Sequence, residues 1–508
     1  MLESGVTRRS RSPEPALFAL ATLGSGALAL ALGQDSNFDQ LNAHVYVGWA
    51  FLHGRLDADV APLGMASYFN PLIQAFHYLG LTVLPPRVFG FLLGAVHGLN
   101  AWLVYRLARL VLSGVRGEVL LSALAGLVAA SGPCAVSLLA TTFGDNLLSI
   151  PVLGAFLLLA RAATEPGADP TRRAALAGLL VGIAAGLKLT LAVYAVGLLA
   201  AALAVAFRLR RVRVVLAFAA AGAVGGLAAG GYWGWQMWRR FANPVFPFLN
   251  NVFRSPWFAP EGLRDFRWAA RDWTGALRVP ADTALGLTEG LQEIGFRDVR
   301  YLVLLLVAGV ALATTLRPRR GRRPLLPAAA VVVVGWLAAY LAWLTVFHYY
   351  RYFAAGEFLA PVAILALLRV VGDRRLAVAW LAAAVAIVAT SHTGHWGRIR
   401  WHDDPLRVEV PLREPAAVMV DATGVSFVAP FFPPGSRFFG TAGAGPALER
   451  VIAGELARHP GPFVRLCRYG APPEPLERFG LVDEGRCETF RSGSRGRLWV
   501  CRLARLSR

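Results

Sequence analysis

The sequence predicts a mainly α-helical, polytopic membrane protein with a small α/β domain at its C-terminus. Hydrophobic residues make up 56% of the 508 residues and charged residues only 16%, against roughly 25% in an ordinary soluble domain. Apolar runs of membrane length recur along the chain between turns that are rich in arginine. From residue 392 onward these runs stop and short β-like segments begin, a pattern typical of a small soluble fold.

The N-terminal segment predicts an uncleaved membrane anchor. Arg8, Arg9 and Arg11 precede an apolar run at about 15–33. Basic residues before an apolar run are typical of a first membrane helix or a signal peptide, and this run is long for a signal peptide. Either alternative places the following residues outside the cytoplasm.

Further apolar runs bring the expected number of membrane spans to about eleven, most of them near the ~20 residues that a bilayer core requires. The run at 174–187 is short, and we expect it to be tilted, broken or re-entrant. The runs after the first lie near 87–112, 118–138, 146–162, 174–187, 190–207, 214–236, 301–316, 325–347, 356–371 and 375–390.

The basic residues predict how the chain is oriented in the membrane. All but one of the 51 are arginine, the exception being Lys188. With the N-terminus in the cytoplasm, the arginine clusters fall on short cytoplasmic turns, as the positive-inside rule demands. An odd number of spans then exports the C-terminus. The net charge of +20 is therefore attributed to membrane topology, and nucleic acid is excluded as a partner. The clusters lie at 106–116, 172–173, 208–213, 317–323 and 374–375.

The chain divides into a membrane domain, residues 1–391, and an exported α/β domain, residues 392–508. Two loops of the membrane domain, 34–86 and 239–299, are also expected outside the cytoplasm.

The C-terminal domain is predicted from short alternating segments and one amphipathic stretch. It holds Cys467, Cys487 and Cys501, and an exported compartment permits a disulfide. Three cysteines do not all pair with one another, and the sequence does not select a pair. The predicted strands are Ala417–Val420, 426–428 and 498–501, and the predicted helix is Pro446–Arg458.

The first exported loop carries the densest pattern of polar and aromatic residues. A helix from Ser36 would place a carboxylate, an amide and aromatic rings on one stripe. Such a stripe suits a sugar, because rings stack on its apolar face while polar groups bond its hydroxyls. Asp35 adds a second carboxylate. The stripe comprises Asp39, Asn42, Tyr46, Trp49 and His53.

A structural interpretation of the same residues stays open. Ser36 and Asp39 match a capping box, in which the carboxylate serves the helix N-terminus. Tyr46 and Trp49 match the aromatic belts found at membrane surfaces.

Two further segments carry charge beside apolar runs. Asp145 and Asn146 lie in an exported turn, where the carboxylate is either solvated or a second acid or metal ligand. Lys188 lies between two apolar runs, where a charge is costly unless it reaches water or a partner. It either extends towards the membrane surface or binds a phosphate.

Arginines in exported segments oppose the topological trend and are candidates for binding an anionic group. Arg297 lies near the end of the loop 239–299 and Arg300 directly follows the loop. Both are alternatively ordinary surface residues. Arg351 follows His348, and it either binds a phosphate or pairs with Glu357.

Several chemistries have no signature in this chain. The sequence has no Walker loop, no G-x-G-x-x-G that opens a helix, no H-E-x-x-H and no Cys/His zinc spacing. Nucleotide-driven transport and cytosolic nucleotide chemistry are therefore not expected.

These segments resemble a known family, the bacterial members of the C-type (GT-C) membrane glycosyltransferases. The resemblance rests on Asp39-x-x-Asn42-x-His44-x-Tyr46 and on two later motifs of the first loop, His53-Gly-Arg-Leu and Ser67-Tyr-Phe-Asn70-Pro. The segments 141–145, 186–188 and 243–248 are similar to further parts of the same family. Ala43 departs from the pattern, because an aromatic residue is expected there.

The resemblance implies transfer of a hexose or pentose from a polyprenyl-phosphate donor to a glycan, lipid or protein acceptor at the outer face of a bacterial inner membrane. In that family an aspartate of the first exported loop acts as base or stabiliser, a role that falls to Asp39 first and Asp35 second. Some relatives require a divalent metal, Mg²⁺ or Mn²⁺, and others none. Asp39 and Asp145 would supply its oxygen ligands. The expected substrate-binding residues are Asn42, His44, Tyr46, Asn70, Asp145, Asn146, Lys188, Arg297, His348, Arg351 and Glu357.

A transporter or lipid flippase without covalent chemistry is the alternative class. Such proteins usually hold their charges near the middle of the membrane on repeated, broken helices. Here the candidate charges gather at one end of the apolar runs, which favours the enzyme.

Overall fold

The structure is a computed structural model. It describes residues 13–167, 169–262, 267–268, 273–316, 325–420, 424–440, 445–468, 476–492 and 496–506.

The described residues are mainly helical, as predicted. The α-helices are α1 (Glu14–Leu32), α2 (Val45–Leu52), α3 (Leu72–Val83), α4 (Pro86–His97), α5 (Leu99–Val111), α6 (Glu118–Ala130), α7 (Pro133–Ser137), α8 (Asp145–Thr164), α9 (Pro170–Leu187), α10 (Ala192–Leu209), α11 (Arg213–Phe241), α12 (Asn250–Phe253), α13 (Trp273–Leu285), α14 (Arg300–Leu316), α15 (Pro327–Val346), α16 (Ala354–Val371), α17 (Leu376–Thr390) and α18 (Pro446–Arg458).

Seven helical segments of the described chain are long and apolar enough to cross a membrane, and we therefore treat the molecule as a membrane protein. The other apolar runs also form helices. However, α6, α14 and α17 have 13, 17 and 15 residues, fewer than the ~20 of a simple span, and α9 carries two arginines in its first turn. The expected count of about eleven spans is thus not confirmed by the described residues. The seven segments are Glu14–Leu32, Pro86–Val111, Asp145–Thr164, Leu189–Leu209, Arg213–Phe241, Pro327–Val346 and Tyr350–Val371.

Helices α9 and α11 pack closely against each other. Gly178, Gly182 and Gly186 follow one another at four-residue spacing on α9 and lie against the backbone of α11. A Cβ atom at Gly186 would lie 2.6 Å from the carbonyl oxygen of Gly226, so only glycine permits this approach. Small residues at this spacing are typical of tightly packed membrane helices. The packing fixes the end of α9, from which Lys188 follows directly.

The C-terminal region contains a five-stranded mixed sheet in the order β7-β6-β8-β10-β9. Strand β6 pairs in parallel with β7 and β8, and β10 is antiparallel to β8 and β9. The strands of this sheet are β6 (Ala417–Val420), β7 (Arg437–Gly440), β8 (Phe463–Arg468), β9 (Leu481–Ser492) and β10 (Gly496–Arg505).

Most predictions for this region are confirmed. The strand at Ala417–Val420, the helix at Pro446–Arg458 and a strand that includes 498–501 are present. The strand predicted at 426–428 is wrong, because Ser426–Phe431 forms a 3₁₀ helix with Pro430 inside it. A proline cannot donate to a strand ladder.

Strand pairing shows which two of the three C-terminal cysteines form a disulfide, a choice that the sequence left open. Cys487 and Cys501 lie directly opposite each other on β9 and β10 and form a disulfide, with Cα atoms 3.9 Å apart. Cys467 lies buried on β8, outside this disulfide.

Short strand pairs join segments that are far apart in the sequence at one end of the helices. Strand β1 (Gln34–Asp35) pairs with β5 (Arg398–Ile399), and β3 (Phe296–Arg297) pairs with β4 (His392–Thr393). Strand β2 (Pro62–Met65) belongs to the first of the two predicted exported loops. Both predicted exported loops and the tail therefore meet on the same side of the helical region.

Candidate functional site

Four charged side chains meet at the end of the helices where these segments join. Asp39 comes from the first loop, Asp145 begins α8, Lys188 follows α9, and Arg351 lies in the 3₁₀ turn Tyr350–Phe353 before α16. We call these four residues the charged cluster. The sequence had singled out each of them, and the structure brings all four together.

Asp145 and Lys188 form the tightest contact of the charged cluster. The Lys188 ammonium lies 2.5 Å from Asp145 Oδ1, and the carboxylate side chain is only 1% exposed. Lys188 also donates to the carbonyl oxygen of Phe143, 3.2 Å away. As the first residue of α8, Asp145 is further stabilised by the positive end of the helix. The alternative of a solvated turn carboxylate at Asp145 is therefore wrong.

Arg351 lies between the two carboxylates. Its guanidinium nitrogens are 3.5 Å from Asp39 Oδ2 and 3.8 Å from Asp145 Oδ2. The guanidinium stacks on Phe143, 3.9 Å from the ring centre, and Trp396 lies 5.4 Å away. Aromatic faces stabilise a desolvated cation, which permits this arginine to be buried.

Asp39 is the accessible carboxylate of the charged cluster, since 37% of its side chain is exposed. It makes no capping hydrogen bond to the following helical turn. The capping group is instead Asn37, whose Oδ1 accepts from the backbone N–H of Gln40 at 2.8 Å. The capping-box interpretation of Ser36 and Asp39 is therefore not supported, and Asp39 is available to a ligand.

Two buried polar atoms of the charged cluster lack a hydrogen bond among the described residues: Asp145 Oδ2 and Arg351 Nε. Buried polar atoms are nearly always satisfied, so such atoms call for an explanation. A polar ligand that enters beside Asp39 would satisfy them.

Asp35 has a different environment from Asp39. Its carboxylate accepts from the Asn37 amide at 2.8 and 2.9 Å and from the backbone N–H of Thr142 at 2.9 Å. Burial raises the pKa of Asp35, against the opposing effect of Arg398 and these hydrogen bonds. Asp35 therefore holds the first loop against the turn that precedes α8.

His44 lies on the same side as the charged cluster. Its Nδ1 is 2.9 Å from the Thr142 hydroxyl. Burial, together with the positive charges of Arg351 and Lys188, lowers the pKa of His44 to about 3. The imidazole is therefore neutral at physiological pH, and it can donate or accept a hydrogen bond without adding charge to the site.

The residues expected to form one polar stripe do not share a single helix face in the structure. The chain makes a π-helical turn over Gln40–His44 before α2, which rotates the residues that follow it relative to Asp39. Asn42 Oδ1 accepts from the Gly424 backbone at 2.7 Å, and the Tyr46 hydroxyl donates to Asp59 at 2.7 Å. The hydrogen bonds of these two side chains therefore go to other segments and not to the charged cluster.

Asp59 is the centre of a buried anchor that sequence reasoning missed. Its carboxylate accepts from Tyr46, from Arg55 at 2.6 Å and from the Phe438 backbone N–H at 2.9 Å. Arg55 also donates to the carbonyl oxygen of Ser436. The anchor fastens the first loop to β7 of the C-terminal sheet.

Two amides expected to bind substrate serve the packing of helices. The Asn70 amide donates to the carbonyl oxygens of Gly186 and Ala229, at 2.9 and 3.0 Å. It thereby joins the start of α3 to α9 and α11. The buried Asn146 amide donates to the carbonyl oxygen of Ala135 at 3.0 Å.

Glu357 also lies outside the charged cluster. Its fully buried carboxylate accepts from the backbone N–H groups of Cys134 and Ala135, both at 3.0 Å, and from the Tyr350 hydroxyl at 2.8 Å. The alternative in which Arg351 pairs with Glu357 is therefore not observed. Glu357 joins α7, and hence the segment that leads to Asp145, to the turn that carries Arg351.

The remaining expected residues form hydrogen bonds or ion pairs with residues outside the charged cluster. His348 is buried, with Nδ1 2.7 Å from the carbonyl oxygen of Trp268. Arg297 is exposed and donates to the carbonyl oxygen of Ala284. Arg300 is fully buried in a 2.5 Å ion pair with Asp298, so the surface interpretation of Arg300 is wrong.

A divalent metal between Asp39 and Asp145 does not fit this arrangement. The Arg351 guanidinium, itself a cation, already lies between the two carboxylates. We therefore derive no step through a metal.

Sequence reasoning missed the residues that surround the charged cluster. Phe143 and Trp396 support Arg351, and Thr142 and Arg398 support the loop. Phe143 and Thr142 lie two and three residues before Asp145 in the sequence, which was the available signal. Trp396 and Arg398 belong to a distant segment, and no local pattern marks them.

No family model matches the chain, and the search of curated proteins found no match.

Proposed function

We propose that the protein is a membrane glycosyltransferase that moves a sugar from a polyprenyl-phosphate donor to an acceptor, with the charged cluster as its active site. The observation that carries the proposal is the contrast within the cluster. Asp39 is accessible, whereas the adjacent Arg351 is buried, caged by aromatic rings and incompletely hydrogen-bonded. An accessible carboxylate beside a desolvated cation suits attack by a hydroxyl with departure of a phosphate.

Asp39 is the general base in this proposal. An acceptor hydroxyl loses its proton to the Asp39 carboxylate as its oxygen attacks the anomeric carbon. Such positioned proton transfer contributes about 10²–10⁴-fold to a rate.

Arg351 and Lys188 stabilise the leaving group. The bond between the anomeric carbon and the phosphate oxygen breaks, and the lipid phosphate departs with the electron pair. Cations held in a water-poor site stabilise such developing charge more strongly than they would in water. Asp145 holds Lys188 at 2.5 Å and so keeps the ammonium in place while Arg351 meets the phosphate.

The same proposal includes the cellular location of the protein and its orientation in the membrane. The charged cluster lies outside the cytoplasm of a bacterial inner membrane, with the N-terminus inside and the sheet domain exported. The arginine turns support this orientation through the positive-inside rule. A reporter fused after residue 400 should give an extracytoplasmic signal, and a cytoplasmic signal would overturn the orientation.

The direct test of the activity uses the full chain in liposomes with a panel of radiolabelled polyprenyl-phosphate sugars. Label should leave the lipid and appear in a glycan, lipid or protein acceptor. Transbilayer movement of the intact donor, with no transfer from any sugar in the panel, would instead support the flippase.

A further inference from the structure

A large groove opens at the other end of the helices, away from the charged cluster. Its volume is about 990 Å³, and it lies between the ends of α8 and α10 and the beginnings of α11 and α15. Its walls are mainly apolar, with Leu203, Phe207 and Val331 among them, and three arginines line it: Arg208, Arg210 and Arg211.

The groove is distinct from the proposed active site. Lys188 precedes α10, whereas the three arginines lie at and just beyond the C-terminal end of this helix. Eighteen helical residues separate the two regions by about 27 Å, at 1.5 Å per residue. A ligand in the groove therefore does not contact the charged cluster.

None of the three arginines forms an ion pair with a described carboxylate, unlike arginines in neighbouring turns, although Asp169 is close enough to Arg211 for the two charges to interact. At the same end of the helices, Arg109 pairs with Glu118, Arg173 with Glu165, and Arg369 with Asp373. In the described part of the chain, no carboxylate lies within ion-pair distance of Arg208, Arg210 or Arg211. The segment 207–215 contains neither Asp nor Glu.

Helix ends add to this positive potential. Helix α11 begins at Arg213 and α15 begins at Pro327, and both beginnings border the groove. A helix N-terminus carries about half a positive charge. The groove thus presents positive charge at its rim, offset in part by Asp169 near Arg211, and apolar walls inside.

We propose that this groove binds an anionic glycerophospholipid, with the phosphate at the three arginines and an acyl chain along the apolar walls. Basic pockets between membrane helices are known to suit anionic headgroups. The occupant is a lipid and not a soluble phosphate, because a headgroup alone would leave the apolar walls exposed. This site is independent of the glycosyl transfer proposed above.

The test compares lipid binding to the full chain in detergent by native mass spectrometry. The probes are phosphatidylglycerol and phosphatidylcholine with identical acyl chains. The wild type should prefer phosphatidylglycerol, and the variant Arg208→Gln/Arg210→Gln/Arg211→Gln should lose roughly tenfold or more of that preference. The matched control, Arg374→Gln/Arg375→Gln, alters arginines at the same end of the helices but outside the groove, and its preference should be unchanged.

A second variant tests the role of the apolar walls of the groove. Ala330→Trp places bulk in the groove without changing charge, and it should weaken binding of phosphatidylglycerol while the thermal unfolding temperature stays within a few degrees. Three results would overturn the proposal: full preference in the triple arginine variant, no effect of Ala330→Trp, or competition by soluble glycerol 3-phosphate as effective as that by the lipid.

Discussion

The only lysine of the chain, Lys188, lies 2.5 Å from the carboxylate of Asp145, whose side chain is 1% exposed. The pair joins the end of α9 to the beginning of α8. A buried charge that loses its partner is far more costly than a pair that is removed as a whole. Each residue of the pair therefore prevents the other from becoming a buried charge without a partner.

Lys188→Met should lower the free energy of unfolding by about 3 kcal/mol, because it leaves Asp145 buried without its ammonium partner. The double variant Lys188→Met/Asp145→Asn should be more stable than Lys188→Met alone, since it removes the orphaned charge. Thermal unfolding of the four proteins of this cycle measures the coupling. Additive effects of the two substitutions would show that the ion pair does not matter.

Glu357→Ala should destabilise the protein by about 3 kcal/mol or more, because three buried donors lose their acceptor. Tyr350→Phe is the matched control, because it changes only one of the three donors to Glu357. It removes one of these hydrogen bonds and should cost about 1 kcal/mol. Thermal unfolding of the two variants measures both losses of stability. An equal cost for the two substitutions would contradict the assignment of Glu357 as the acceptor for the α7 backbone.

The neutral state of His44 predicts a pH dependence of stability. The pKa of His44 is about 3 in the folded protein, against an ordinary value of 6.5. The unfolded chain therefore binds a proton at this residue that the folded chain does not, and stability falls as the pH drops from about 6.5 towards 3.

His44→Asn should reduce this acid sensitivity, so that the free energy of unfolding changes less between about pH 6.5 and 4. His53→Asn, at an exposed position of the same loop, is the control and should keep the wild-type slope. Identical slopes in the wild type and His44→Asn would refute the assignment.

Asp59 should control how firmly the first loop holds the C-terminal sheet. Asp59→Ala removes the acceptor of the Phe438 backbone N–H, so hydrogen exchange of that amide should accelerate. Asp57→Ala is a suitable control, because Asp57 is 80% exposed and pairs with Arg240 instead. Unchanged exchange at Phe438 in Asp59→Ala would show that strand pairing alone protects this amide.

The parts of the fold that were predictable are those fixed by local pattern. The helix Pro446–Arg458 has its predicted bounds, because an amphipathic run after a glycine and a proline leaves few alternatives. The membrane helices follow from their apolar runs, but their number does not. Runs such as 118–138 are interrupted, here by Gly132 and Pro133, which divide it into α6 and α7.

The candidate site was predictable residue by residue but not as a set of contacts. Asp39, Asp145, Lys188 and Arg351 each stood out as a charge beside an apolar run. Their pairing depends on which helices are neighbours, and this in turn depends on contacts such as the glycines between α9 and α11. Sequence spacing left open whether Arg351 binds a phosphate or pairs with Glu357, whereas the fold directs Glu357 to α7.

The first loop shows how one irregular turn defeats a helical pattern. The expected stripe assumed a uniform α-helix from Ser36. The π-helical turn at Gln40–His44 rotates Tyr46 away from Asp39 and towards Asp59. No propensity in the sequence marks this turn. Tertiary contacts accompany it, including the hydrogen bonds of Asn42 and Ser426.

If Asp39 is the base of the proposed glycosyl transfer, its carboxylate is required for transfer but not for folding. Transfer of label from the preferred polyprenyl-phosphate sugar is measured for wild type, Asp39→Asn and the exposed-loop control Asp57→Asn. We expect Asp39→Asn to lower the rate at least about 100-fold, while its unfolding temperature and the activity of Asp57→Asn stay close to wild type. Wild-type transfer by Asp39→Asn would contradict this role of Asp39.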